Sequence, residues 1–170
     1  PNTAVVGPGD PVVIPPETTE VSYEGELAVI IGRMCKDVAE EDVKKVVLGY
    51  TIANDVTARD LQRTDGQWAR AKGFDTFCPL GPWIETDLDP QDCAIRTTVD
   101  GQVRQDGHSS DMVHGVAAVV SYASRAFTLL PGDVILTGTP AGVGPITAGQ
   151  RCEIEIDQIG TLANPFVAKD

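Results

Sequence analysis

The chain has 170 residues, 42% hydrophobic and 22% charged, which is enough apolar matter for one globular core and too much for disorder. Its 13 basic and 25 acidic side chains leave a formal charge of −12, which repels phosphate backbones and anionic membrane surfaces and argues against a nucleic-acid partner. No window approaches the ~18 uninterrupted apolar residues that a transmembrane helix needs, so no membrane span is expected.

The 17 Gly and 12 Pro predict many turns and short strands. Val12-Val13-Ile14, fenced by Pro11 and Pro15-Pro16, reads as an edge strand or extended arm. Residues 23–32, YEGELAVIIG, read as a buried strand closed by Gly32. Residues 39–48 place Glu40, Glu41 and Asp42 in a first turn. Val43, Val46 and Val47 then recur at i, i+3 and i+4, which predicts a short helix with one apolar face. Residues 47–54 return to β-prone sequence and end at Asn54-Asp55. Residues 56–80 are polar, mixed in sign and poorly periodic, and read as a long excursion with a helical start. Pro79, Gly81 and Pro82 punctuate before Trp83.

Two short strands over 94–105 flank Asp100-Gly101, the signal of a two-residue hairpin. Ser109, Ser110 and Asp111 offer caps for a helix over about 112–128, with Met112, Val116, Val119, Val120, Ala123 and Phe127 as its apolar stripe. Pro131-Gly132-Asp133 leads into the strand Val134-Ile135-Leu136, and a Gly-rich loop runs on to Gly144. Cys152, Ile154 and Ile156 alternate with Glu153, Glu155 and Asp157 as a half-exposed late strand. The chain reads as one β-dominated domain over residues 1–170 with two or three helices. Cys35, Cys78, Cys93 and Cys152 form no Cys-x-x-Cys pair, so they read as reduced thiols of a cytoplasmic protein rather than zinc ligands. No signal peptide is visible, and the start at Pro1-Asn2 without Met suits a processed chain or a fragment of a longer one.

Glu24-Gly25-Glu26 is the sharpest chemical feature. On one strand, Glu24 and Glu26 point to the same face, together with Ala28 and Ile30. Two carboxylates so close repel each other, and a hard divalent cation, Mg2+, Mn2+ or Ca2+, removes the conflict. The plainer reading is a solvated strand end. Asp55 offers a third carboxylate, or else caps a helix over Val56–Leu61. Arg59, Arg63, Arg70 and Lys72 either pair with Asp60 and Asp65 at the surface or line a pocket for a small organic acid. The loop Thr137–Gly144 lacks the Lys-Ser/Thr of a P-loop and the following helix of a Rossmann turn, yet Thr139 and backbone N–H groups could hold a carboxylate. Nothing in the spacing brings His108 or His114 to a nucleophilic serine, and Trp68 and Trp83 read as packing residues.

In combination YEGELAVIIG, GYTIANDVTARDLQ, ARAKGFDTFCPLGPW, VDGQVRQDGHSSDM and LLPGDVILTGTPAGVG resemble the fumarylacetoacetate hydrolase family over about residues 10–160. The resemblance implies a mixed β-roll of that family's C-terminal-domain type, with mostly antiparallel strands, and a homodimer. It implies Glu24, Glu26 and Asp55 as ligands of Mg2+ or Mn2+, with Ca2+ as a substitute. It further implies Lys72 as catalytic residue and substrate contact, and Arg59, Gln62 and Thr139 as substrate contacts. Hydrolytic and decarboxylating members often carry a water-activating His and Glu on a lid upstream of the metal pair. No His lies before Glu24 here, so either an upstream lid segment is missing or that dyad is not used.

The expected function is a divalent-metal-dependent enzyme acting on small 2-oxo or 2-hydroxy-dienoic acids and diacids of aromatic catabolism. It would work through a metal-bound enolate, by isomerisation or decarboxylation, as in a 2-hydroxyhepta-2,4-diene-1,7-dioate isomerase. Three carboxylates and one divalent ion sum to −1, a monoanionic substrate makes −2, and Lys72 with Arg59 restores neutrality. The alternatives are C–C hydrolysis of acylpyruvates or fumarylacetoacetate, a non-catalytic metal and small-acid binding domain, and a structural β-domain with scattered surface charge.

Overall fold

A computed structural model describes residues 1–169. A 3-10 turn at Asn2–Ala4 leads into β1 (Val5–Val6) and β2 (Val12–Ile14). β3 (Val21–Tyr23) and β4 (Gly25–Ile31) are separated by Glu24 alone. A 3-10 helix at Glu40–Lys45 precedes β5 (Val47–Asn54), β6 (Thr57–Ala58), α1 (Arg59–Asp65), α2 (Ala69–Lys72) and β7 (Cys78–Glu85). Next come β8 (Ala94–Val99), β9 (Gln102–His108) and α3 (Val116–Ala126). β10 (Val134–Leu136), β11 (Gly144–Pro145), β12 (Arg151–Ile156) and β13 (Gly160–Ala168) complete the chain.

The strands form three sheets, ordered β1-β7-β5-β4-β10, β11-β3-β6 and β2-β13-β12-β8-β9. Among the described residues only β1 with β7 and β13 with β2 pair in parallel. The result is the mainly β, mostly antiparallel roll expected from the sequence. β4 is buried along its whole length because it is paired on both edges, while β8 packs against it. Leu27, Val29 and Ile31 join Ile52, Phe77, Ile154, Leu162 and Phe166 in one apolar cluster. Burying each such side chain contributes roughly 1.5–3 kcal/mol.

Asp100 (φ 50°) and Gly101 (φ 75°) both take the left-handed conformation, the two-residue turn that matches the twist of the β8–β9 hairpin. β2 is an edge strand, as its proline fence predicts. Other expectations need correction. The turn over 39–48 is a 3-10 helix, and Val47 already belongs to β5. β7 runs straight through Pro79, Gly81 and Pro82, with a cis Gly81–Pro82 peptide. α3 begins only at Val116, because Ser109–Asp111 forms a separate 3-10 turn. Its buried side carries Ser121 and Ser124 beside Val116 and Val120, whereas Phe127 is 67% exposed. Ser121 donates to the Val38 carbonyl at 2.7 Å, and Ser124 accepts from the Val38 N–H at 2.9 Å, so backbone partners rather than apolarity select that face. Among the described residues no helix is long and apolar enough to cross a membrane.

Candidate metal centre

β4 and β5 pair antiparallel, with Gly25 opposite Asn54, and beyond a break the same two segments pair again as β3 and β6. Glu24 and Asp55 occupy that break, outside the regular ladders, and the Asp55 N–H donates to the Glu24 carbonyl at 2.9 Å. The Asn54 side chain stabilises the break by accepting the Glu24 N–H at 2.9 Å. Freed from strict alternation, the side chains of Glu24 and Asp55 converge with that of Glu26. Each of the three offers a carboxylate oxygen, all within 4.8 Å of one another. Among the described residues this is the one group of three Asp, Glu, His or Cys side chains so placed. Asp55 does not cap a helix, since α1 starts at Arg59 with Ala58 in the capping position.

The four basic residues of the 56–80 excursion divide evenly. Arg63 pairs with Glu20 and Arg70 with Asp65 at the surface. Lys72 and Arg59 turn inward. Lys72 Nζ donates to Glu24 at 2.9 Å, to Thr57 Oγ1 at 3.1 Å and to Asp55. Arg59 donates to the other Glu24 oxygen and, at 2.9 Å, to the Gln62 side-chain oxygen. Burial works against the Lys72 ammonium, but the bonds to Asp55 and Glu24 outweigh it and raise its pKa. Burial also raises the Asp55 pKa, more than the bond from Lys72 lowers it.

Glu26 is different. It is 3% exposed, and its bonding partner is the Gly138 N–H at 2.7 Å. Among the described residues no Lys, Arg or His side chain bonds it. Burial pushes its pKa up to about 8, against the pull of the Gly138 N–H, and the nearby Asp55 and Glu24 charges push the same way. A buried carboxylate without a cation, beside two more, is a poor arrangement by itself and a good one around a hard divalent ion. The residues therefore fit Mg2+ or Mn2+ held by Glu24, Glu26 and Asp55.

A cavity of about 490 Å3 opens over the trio, lined also by Arg59, Gln62, Lys72, Trp68, Leu136 and Thr139. That volume suits a small organic acid. The structure thus gathers every site residue expected from the sequence. Thr139 is bound more tightly than expected: its hydroxyl donates to the Gly25 carbonyl at 2.9 Å and accepts from Gln105 Nε2 at 2.7 Å.

Three features escape sequence reasoning. Gln105 is fully buried and clamps the site, accepting the Gly25 N–H at 3.0 Å and donating to Thr139 and, at 2.9 Å, to the Pro140 carbonyl. A lone Gln in a hairpin strand carries no signal of this. Gly138 supplies the N–H to Glu26. Trp68, expected to pack, is 56% exposed at the cavity wall. A second cavity, of about 320 Å3, lies along the same loop and takes in His108 and His114, so neither histidine lines the trio's cavity.

Comparison with known proteins agrees with this architecture. The family model "Fumarylacetoacetate (FAA) hydrolase C-terminal" matches residues 1–167. The chain is 45% identical over 177 residues to the oxaloacetate tautomerase fahd2, mitochondrial, of Xenopus laevis, covering 97% of this chain and 56% of that protein. It is similar to the crystal structure of a 5-carboxymethyl-2-hydroxymuconate delta-isomerase from Mycobacterium smegmatis, with TM-score 0.98, 58% identity, and coverage of 99% of this chain and 68% of that one. It is also similar to a maleylpyruvate hydrolase from Sphingobium sp. SYK-6 in complex with manganese(II) and pyruvate, with TM-score 0.91, 43% identity, and coverage of 100% of this chain and 63% of that one. The chain spans 56% to 78% of the length of the curated relatives it matches.

Proposed function

Since the chain belongs to the fumarylacetoacetate hydrolase family, we propose that it carries the metal-dependent centre of an enzyme for small 2-oxo and 2-hydroxy-dienoic acids and diacids, working through keto–enol isomerisation or decarboxylation. The observation that carries this reading is the buried carboxylate trio with Lys72 and Arg59 on its rim. A bound Mg2+ or Mn2+ would supply Lewis-acid stabilisation of negative charge developing on the substrate's oxygens.

The chain's own groups do the rest. Arg59, held by Glu24 and Gln62, presents a fixed guanidinium fork to a substrate carboxylate. Lys72, with Nζ in hydrogen-bond reach of Glu24, Asp55 and Thr57, is placed to hold charge or move a proton at the rim of the trio. Gln62 orients Arg59. Thr139 shapes the rim, since its hydroxyl is already bonded. Isomerisation is the first reading, favoured by the likeness to a 5-carboxymethyl-2-hydroxymuconate delta-isomerase. Hydrolysis is the second reading, favoured by the likeness to a maleylpyruvate hydrolase. We further propose that the chain works as a homodimer in the cytoplasm. The four free cysteines are in keeping with a reducing compartment.

Calorimetric titration with Mn2+ and a Mn2+-dependent screen on oxaloacetate, hydroxy-dienedioates and acylpyruvates test the proposal. Wild type is expected to bind the ion and to turn over the first two classes. Glu26→Gln with Asp55→Asn is expected to bind no Mn2+. Unchanged binding by that double variant would remove the metal centre.

A further inference from the structure

We propose that Trp68 is a specificity-determining residue whose indole forms a stacking wall for flat, conjugated 2-oxo and 2-hydroxy acids, so that the site prefers them to saturated acids with the same head group. This rests on the metal-centre reading above. Trp68 is the residue immediately before α2, and its carbonyl accepts the Lys72 N–H at 3.0 Å, so the backbone that places the indole also places the lysine. Trp68 is 56% exposed although it is the largest apolar residue on the cavity wall. The cavity's other large apolar side chain is Leu136, and its remaining long side chains are charged or amide groups. Lys72 Nζ lies 6.0 Å from the indole centroid, close enough for the ring face to be oriented by the ammonium. The carboxylates and Lys72 thus suit an acid's polar head, while the adjoining indole suits a planar π-system extending from it. A saturated chain has no π-system to stack and meets that face only through C–H contacts.

Two matched ligands test this: 2-oxopent-3-enoate, which is conjugated and planar, and 2-oxopentanoate, which has the same head and carbon number without the double bond. Binding of each is measured by calorimetry on the Mn2+-loaded protein. The conjugated acid is expected to bind roughly threefold to tenfold more tightly, the range set by one aromatic stacking contact. Trp68→Leu is expected to bring the two affinities within twofold of each other; Trp68→Phe is expected to keep part of the preference. Trp83, itself 55% exposed beside Gly160 and not as packed as the sequence suggests, is the other tryptophan, so in Trp83→Phe protein the indole emission reports Trp68 alone and should change with the conjugated acid. Equal affinities in wild type, or a preference that survives Trp68→Leu, overturn the proposal while leaving the metal centre standing. Failure of both acids to bind a protein that takes up Mn2+ overturns the functional reading, and Trp68's role with it.

Discussion

Glu26 carries an electrostatic conflict that gives it a measurable signature. Its pKa, pushed up to about 8 by burial, lies above the ordinary 4.5 it regains on unfolding. The unfolded chain therefore loses this proton first as pH rises. The group's contribution to stability is present below about pH 4.5 and is lost as pH climbs through about 8. Asp55 shifts in the same direction. In metal-free protein, Glu26→Gln is expected to raise Tm relative to wild type by an amount that grows between about pH 5 and 8. Mn2+, which needs the carboxylates ionised, should stabilise wild type increasingly over the same window. Scanning calorimetry of both proteins with and without Mn2+ decides this; a difference that does not vary with pH would show that Glu26 is ionised throughout. Lys72→Ala is expected to lower kcat by ~100-fold, the scale of losing a preorganised charge, and a wild-type rate would return Lys72 to a pairing role. At this scale the sequence is informative about charge and silent about exposure. The spacing of Glu24 and Glu26 is visible in it, and Lys72 stands out as a cation in an acidic chain. Trp68 is misread because a tryptophan's composition says packing, and only its position before α2 turns it to the cavity.

Among the elements, the break between β3 and β4 decides the chemistry. YEGELAVIIG suggests one continuous strand, which would set Glu24 and Glu26 side by side on a face. The observed break at Glu24, matched by that at Asp55, instead lets three side chains meet from two segments. Such a break depends on Asn54 and Gln105, partners 30 and 80 residues away from those they hold, which no local pattern contains. The buried side of α3 has the same kind of origin, since bonds to Val38 select it. Gln105→Leu would leave the Gly25 N–H and the Pro140 carbonyl without their partner. The expected cost is about 1–3 kcal/mol. That corresponds to a fall in Tm of roughly 2–12 °C for a chain of this size. Weaker Mn2+ binding should accompany it, because Gly25 lies between the two glutamates proposed as ligands. A Tm and an affinity both equal to wild type would show that the clamp is dispensable.

For the whole molecule, the sequence foretells the β-dominated architecture through its many turn residues and strand alternation, but not which surfaces remain open. Val113, Tyr122, Phe127 and Leu130 are all at least half exposed on α3 and its flanking turns. Exposed apolar side chains gathered near one helix suit contact with a second copy, as the homodimer proposal requires. Sedimentation equilibrium should return twice the chain mass for wild type and the single-chain mass for Tyr122→Glu with Phe127→Glu; a monomeric wild type would remove the dimer. The charged groups of the centre, from Glu24 to Lys72, all lie before β8. The later half of the chain holds them in place through Gln105 and the Gly138 N–H. Chemistry and scaffold are thus separable along the chain, with a mostly exposed turn over residues 86–92 between them. Chimeras spliced with relatives at that turn would exchange the reacting groups without the clamp, or the clamp without the reacting groups, and so apportion selectivity and turnover between the two halves.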